Sequence, residues 1–272
     1  MARETGSGSA GEYVRELYLV AFEERALYKE TYAGHAGTVV LESQHLRPKD
    51  ARSSTVVISM HPIGGTQYLP LPAALARAGV PVICRNSRYP RNDSALIMEK
   101  VALDLGACVR HAREKLGYEK VVLLGWSGGG ALSAFYQAQA DPRRLDANID
   151  PNERKSPGRH MGDPRTVNDG PAGLARFCTL RSWLSQWSYT LSNTDGPRAL
   201  AHVSVPVFML ECGADDGCTP HHIERFWNAI GHAGKERCII PGATHYFFGQ
   251  KDKCDAAAAA ITGWLAKKGF GA

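Results

Sequence analysis

The sequence predicts an α/β protein with a mostly parallel central sheet and helices on both of its faces. Three observations point there. Short apolar runs rich in Val and Ile alternate with longer stretches of helical character. Runs such as "KVVLL" at 120–124 lack polar alternation, as strands buried on both faces do. Several runs end at turn-rich segments, "HPIGGTQ" after 54–60 among them. At 272 residues the chain suits one such domain with an insertion. Its 44% hydrophobic and 22% charged residues allow a sizeable buried core.

The elements follow in order. Residues 1–12, "MARETGSGSAGE", hold no apolar stretch, so disorder is expected and no signal peptide is visible. Residues 12–32 mix apolar and charged side chains, and their type stays open. Strands are expected at 37–43 and at 54–60. A helix over 71–79 closes at Gly79, and a strand follows at 80–84. A long helix is expected over 94–117, with Ser94 as its N-cap and Gly117 as its stop. Strand 120–124 leads into a helix over 130–140. The rhythm resumes with a strand at 203–212, a helix at 221–234, a strand at 236–242 and a helix at 253–268. The core is therefore assigned to 13–140 and 201–272, with 141–200 as an insertion or small lid.

That middle region is unlike the rest. Over 141–173 the only large apolar side chains are Leu145, Ile149, Met161 and Val167, so no buried strand is expected. Phe177, Leu180, Trp183, Leu184, Trp187 and Leu191 then fall on one helical face. Such a helix would roof a site or pack on the sheet.

Composition excludes several classes. The net charge of +5 is scattered, with no basic block, so nucleic acid is not an expected partner. No stretch approaches the ~20 apolar residues of a membrane span. The seven cysteines are irregularly spaced without a CxxC pair, which argues against structural zinc. Reduced thiols in a cytoplasm fit that usage best.

Chemistry concentrates at "GWSGGG", residues 125–130. Ser127 stands between a strand and a helix, with Gly125 and Gly129 two residues away on either side. A strand that turns straight into a helix crowds those two positions, so glycine is required there. The serine is then forced into a strained, exposed conformation above a helix N-terminus. Serine needs a base. His245, in "PGATHYF", follows the last strand and precedes the last helix. An acid must orient that imidazole. "ECGADDGCTP" offers Asp215 and Asp216, and spacing does not choose between them. An oxyanion needs two N–H donors. Gly128 supplies one. Ile63 of "HPIGG" supplies the other, because Pro62 has no N–H, while Gly64 and Gly65 let substrate approach the backbone. The His221–His222 pair lacks further metal ligands, and no metal site is expected.

Together these segments resemble the α/β-hydrolase superfamily. "STVVISMHPIGGTQ" resembles its HGxxG-type oxyanion loop, with Pro62 in place of the usual glycine. "LLGWSGGGALS" is similar to its nucleophile elbow, and "PGATHYF" to its catalytic histidine loop. "VPVFMLECGADDGCTP" resembles its acid segment, where the acid is the third residue after the glycine. Counted from Gly213 that residue is Asp216. The resemblance spans 54–140 and 203–268. One departure is plain: no strand is visible directly after the elbow helix.

The resemblance implies the α/β-hydrolase fold with a small or shortened lid, and a serine hydrolase with Ser127, Asp216 and His245 as its triad. The substrate would be a small, hydrophobic carboxylic ester, thioester or amide. His61, Tyr68, Trp126, Trp183 and Tyr246 are the expected substrate contacts. This chemistry requires no cofactor. Two alternatives share the motifs: a C–C bond hydrolase of diketone-type substrates, and a non-catalytic ligand-binding protein. The oligomeric state stays open, and a homodimer is compatible with the sequence.

Overall fold

The computed structural model describes residues 11–24, 37–49, 52–63, 65–90, 92, 94–140, 179–188 and 190–271. The segment whose type the sequence leaves open is β1 (Tyr13–Glu24), paired antiparallel along its whole length with β2 (Gly37–Pro48). Beyond this hairpin β2 runs antiparallel to β4 (Val82–Asn86). β3 (Thr55–His61) lies parallel between β4 and β5 (Lys120–Leu124). The five-stranded order is β1-β2-β4-β3-β5. β6 (Val207–Cys212) and β7 (Lys235–Ile240) form a separate parallel pair.

The helices are α1 (Pro70–Arg77), α2 (Met98–Glu114), α3 (Gly128–Ala140), α4 (Leu180–Trp187), α5 (Gly196–Leu200), α6 (Pro220–Ala229) and α7 (Lys251–Lys267). They cover both faces of the larger sheet, as the two-residue side-chain period requires. Val57, Val82 and Cys84 point to one face, where Leu71 and Leu75 of α1 meet Ala257, Ile261 and Leu265 of α7. Val56, Ile58, Met60 and Ile83 point to the other, under Val101, Leu105 and Cys108 of α2. The first core also takes in Ile240, Ala243 and Phe247, so it joins the smaller sheet to the larger. A third cluster sets Phe135 and Ala138 of α3 against Ala199 and Leu200 of α5.

Several boundaries differ from expectation, each for a local reason. α2 starts at Met98 rather than 94, and its N-cap is Ile97, without a side-chain cap. The N–H of Met98 is met instead by Ser185 Oγ of α4 at 2.9 Å, while Ser94 uses its carbonyl to accept from Thr179 N–H. Gly79 and Gly117 do end their helices, with φ of +92° and +77°, a region where a Cβ is strained. β5 is half-buried, not buried on both faces, because among the described residues it is an edge of its sheet. β6 starts at Val207, just after Pro206, which has no N–H for a ladder.

α4 carries a larger surprise. Its polar side packs and its apolar side faces solvent. Ser182 is buried, whereas Leu180, Trp183 and Trp187 are 73%, 48% and 42% exposed. Thr179 caps it, its hydroxyl accepting from Ser182 N–H at 3.1 Å. Of the two alternatives for this face, packing on the sheet is not formed among the described residues. The polar stretch 141–173 and Phe177 lie outside the described residues, as do residues 1–10.

One buried ion pair steadies the loop after β4. Asp104 of α2 is fully buried and accepts from Arg88 Nη2 at 2.7 Å and from Arg88 N–H at 2.9 Å. The adjacent Ser87 donates its hydroxyl to the Pro62 carbonyl. The loop carrying His61 and Ile63 is thereby tied to α2. Among the described residues, no helix is long and apolar enough to cross a membrane, and six cysteines are free thiols.

Candidate active site

Ser127 has a φ of +49°, one of two positive values outside glycine among the described residues. A non-glycine residue in this region is strained and must be held there by its surroundings. The glycines do so. A Cβ on Gly125 would lie 2.3 Å from the Gly129 carbonyl oxygen. A Cβ on Gly129 would lie 2.6 Å from the Met60 carbonyl oxygen, so this glycine serves the contact with β3. Gly130 has no such requirement; its Cβ would meet only Gly125 O, at 3.7 Å. Ser127 is exposed. The N–H groups of Gly129 and Gly130 close the turn onto Trp126 and Ser127 carbonyls. That of Gly128, first residue of α3, has no partner among the described residues.

The carboxylate beside His245 is Asp215, not Asp216. His245 Nδ1 lies 2.9 Å from Asp215 Oδ1 and 2.8 Å from Oδ2. Their side chains are only 12% and 8% exposed, while Asp216 is exposed. The reason is the turn after β6. Gly213 N–H donates to Ile240 O, and Ala214 N–H to Ala243 O at 2.8 Å, which draws the β6 and β7 loops together. The next side chain then faces His245, and the one after it faces water. Asp215 Oδ1 also accepts the N–H groups of Gly217 and Cys218, at 2.7 and 2.8 Å.

Burial opposes charge on both partners, but their interactions win. For Asp215, bonds from His245 and from two backbone N–H groups hold the pKa below its ordinary value. For His245, bonds to Asp215 and to the Cys218 side chain raise it to about 9. The pair is thus built to stabilise an imidazolium. Phe247, at φ +60° and fully buried in the core, anchors the histidine loop from below.

Tyr246 links this loop to the serine. Burial raises the pKa of its hydroxyl, against the pull of the Ser127 side chain, and its ring stands 4.3 Å from that of His245. Among the described residues, Ser127 and His245 are not directly hydrogen-bonded. Catalytic hydrogen bonds often tighten only with substrate in place.

On the side of the β3 loop, His61 lies against Gly128, its Nε2 3.2 Å from where a Cβ on that glycine would sit. Burial, helped by the nearby charge of His245, lowers its pKa to about 4. The ring is neutral, and its Nδ1 accepts the Ile63 N–H at 3.3 Å. The donor expected of Ile63 is therefore turned onto His61 in this structure. Gly64 lies outside the described residues.

Among the expected substrate contacts, His61 and Tyr246 border Ser127 and Gly128. Trp126 packs on the core beneath the elbow. Tyr68 and Trp183 are surface side chains, 56% and 48% exposed. One neighbour escaped the sequence reading: Cys218, against His245. Its position three residues after Asp215 was the only available signal.

The family signature described as alpha/beta hydrolase fold matches residues 56–149, the stretch holding the loop after β3 and the turn at Ser127. No curated protein matches the chain in sequence. Solved structures match it along most of its length. A thermostable carboxyl esterase from Bacillus coagulans is similar at a TM-score of 0.63 and 14% identity, over 93% of this chain and 98% of that one. An esterase from Pyrobaculum calidifontis is similar at 0.59 and 18% identity, over 96% and 88%. A monoacylglycerol lipase from Paleococcus ferrophilus is similar at 0.57 and 18%, over 84% and 98%. The chain has the α/β-hydrolase fold.

Proposed function

We propose that the protein is a serine hydrolase of a small carboxylic ester, with Ser127 as nucleophile, His245 as base and Asp215 as the acid that orients it. The supporting observation is the strained, exposed Ser127 at a sharp strand-to-helix turn, in the same fold as the half-buried His245–Asp215 pair. The names of the similar structures, esterases and a lipase, favour an ester.

In this mechanism Ser127 Oγ attacks the acyl carbon and gives its proton to His245. Asp215 keeps the imidazole oriented and stabilises the cation. The oxyanion takes the unpartnered Gly128 N–H, aided by the positive end of α3. The Ile63 N–H joins once it leaves His61 Nδ1. His245 then protonates the leaving alcohol, and water releases the acid from Ser127. His61 and Tyr246 flank the reacting carbon, so the alcohol and acyl groups meet aromatic edges.

A panel of p-nitrophenyl esters and a β-diketone tests this. Wild type is expected to release p-nitrophenol from the esters, and Ser127→Ala to lose that activity. Turnover of the diketone alone would replace the ester reading with C–C hydrolysis. Ligand binding without any turnover would contradict both.

A further inference from the structure

We propose that Asp215, Cys218 and His245 form a binding site for a borderline-soft divalent cation, Zn2+ foremost, and that its occupation switches hydrolysis off. The switch rests on the serine-hydrolase reading; the site does not. A carboxylate oxygen, a thiol sulfur and an imidazole nitrogen from these residues lie within 4.8 Å of one another. One each of O, S and N is a donor set that suits zinc, and three protein ligands leave a fourth position for water.

The site is partly preorganised. Asp215 and Cys218 share a turn whose backbone N–H groups bond to the Asp215 carboxylate. That turn is tied to the histidine loop by Ala214 N–H on Ala243 O. All three residues are half-buried, so an ion can reach them. Cys218 has no part in the hydrolytic steps, yet its sulfur lies within 4.8 Å of a ring nitrogen of the base. The sequence hides the set because its spacing fits no zinc motif; only the fold joins the two loops.

Binding conflicts directly with catalysis. Zinc-to-ligand bonds of about 2.0–2.3 Å would replace the present Asp215–His245 hydrogen bond. The thiol loses its proton to solvent and ligates as thiolate. The imidazole that ligates through Nδ1, the nitrogen now facing Asp215, keeps its one remaining proton on Nε2. It can no longer accept a proton from Ser127.

The test is a Co2+ titration of chelator-treated protein, followed by absorbance, with Zn2+ displacement. Wild type should show a thiolate-to-cobalt charge-transfer band that Zn2+ removes. Cys218→Ser should lose the band, and Asp215→Asn should weaken binding by at least about tenfold; circular dichroism confirms that both variants fold. Zn2+ should inhibit wild-type ester hydrolysis reversibly. Cys218→Ser, measured against its own metal-free rate, should need at least about tenfold more. A band that persists in Cys218→Ser, or no band in wild type, overturns the site. A wild-type band with hydrolysis unaffected by Zn2+ overturns the switch. Absence of hydrolysis before any metal is added counts against the serine-hydrolase reading, and the cobalt band still decides the site.

Discussion

The two sides of the candidate site are held by different forces. Ser127 stands on the larger sheet, where β3 is buried over nearly its whole length and backbone packs on backbone at Gly125 and Gly129. Asp215 and His245 stand on the smaller pair, whose strands are mostly half-buried and whose helix α6 has no buried residue. Sterics set the first side; hydrogen bonds and charge set the second. Substitutions on the serine side should therefore damage folding, and those on the histidine side should damage chemistry with the fold intact.

The largest effect should separate the two aspartates. Asp215→Asn is expected to lower kcat/KM by about 10³–10⁴-fold with little change in melting temperature, since it disturbs the imidazole's orientation and charge. Asp216→Asn, altering an exposed neighbour, should stay within about threefold. A reversal of these two results would restore Asp216 as the acid.

On the serine side, Asp104→Asn would leave the Arg88 guanidinium without its carboxylate. A loss of about 3–5 kcal/mol in urea unfolding is expected, and a loss under 1 kcal/mol would mean that the pair does not steady this half. Gly125→Ala should cost about 3 kcal/mol or more, because the new Cβ meets backbone that cannot yield. Gly130→Ala, one helical turn away, has room and should raise stability by roughly 0.5–1 kcal/mol. Equal effects at the two glycines would undo the steric explanation of the elbow.

The smallest effect concerns pH. His45, buried on β2 and 2.9 Å from the Tyr118 hydroxyl, has its pKa lowered chiefly by burial, against the pull of Glu16. The unfolded chain takes up this proton near the ordinary histidine value of about 6.5, before the folded chain does. The stability it contributes is present above that value and lost as pH falls below it. Urea unfolding from pH 7.5 to 5.5 should show a decline that His61 shares and His245, with its raised pKa, opposes, and His45→Gln should make it shallower.

What was legible in the sequence was local. The strand–turn–helix around Ser127 could be read because crowding at the flanking positions depends only on neighbouring residues. Gly79 and Gly117 could be read for the same reason. What was not legible depended on distant contacts. The choice of Asp215 over Asp216 follows from Ala214 bonding to Ala243, some thirty residues on. The reversed packing of α4 follows from Ser185 meeting the orphan N–H of Met98. In β1 the charged pairs Arg15–Glu16 and Glu23–Glu24 flank an apolar run in which Leu17 and Leu19 face solvent, so no two-residue alternation marked it as a strand. The juxtaposition of Cys218 with His245 required both loops to be in place.

The most direct test of the central claim is covalent. A fluorophosphonate probe reacts with an activated serine and reports its position by peptide mass. Wild type is expected to carry one adduct on the peptide containing Ser127, with none in Ser127→Ala and a much slower reaction in His245→Ala. A folded wild type that takes up no probe, or an adduct that persists in Ser127→Ala, would contradict it.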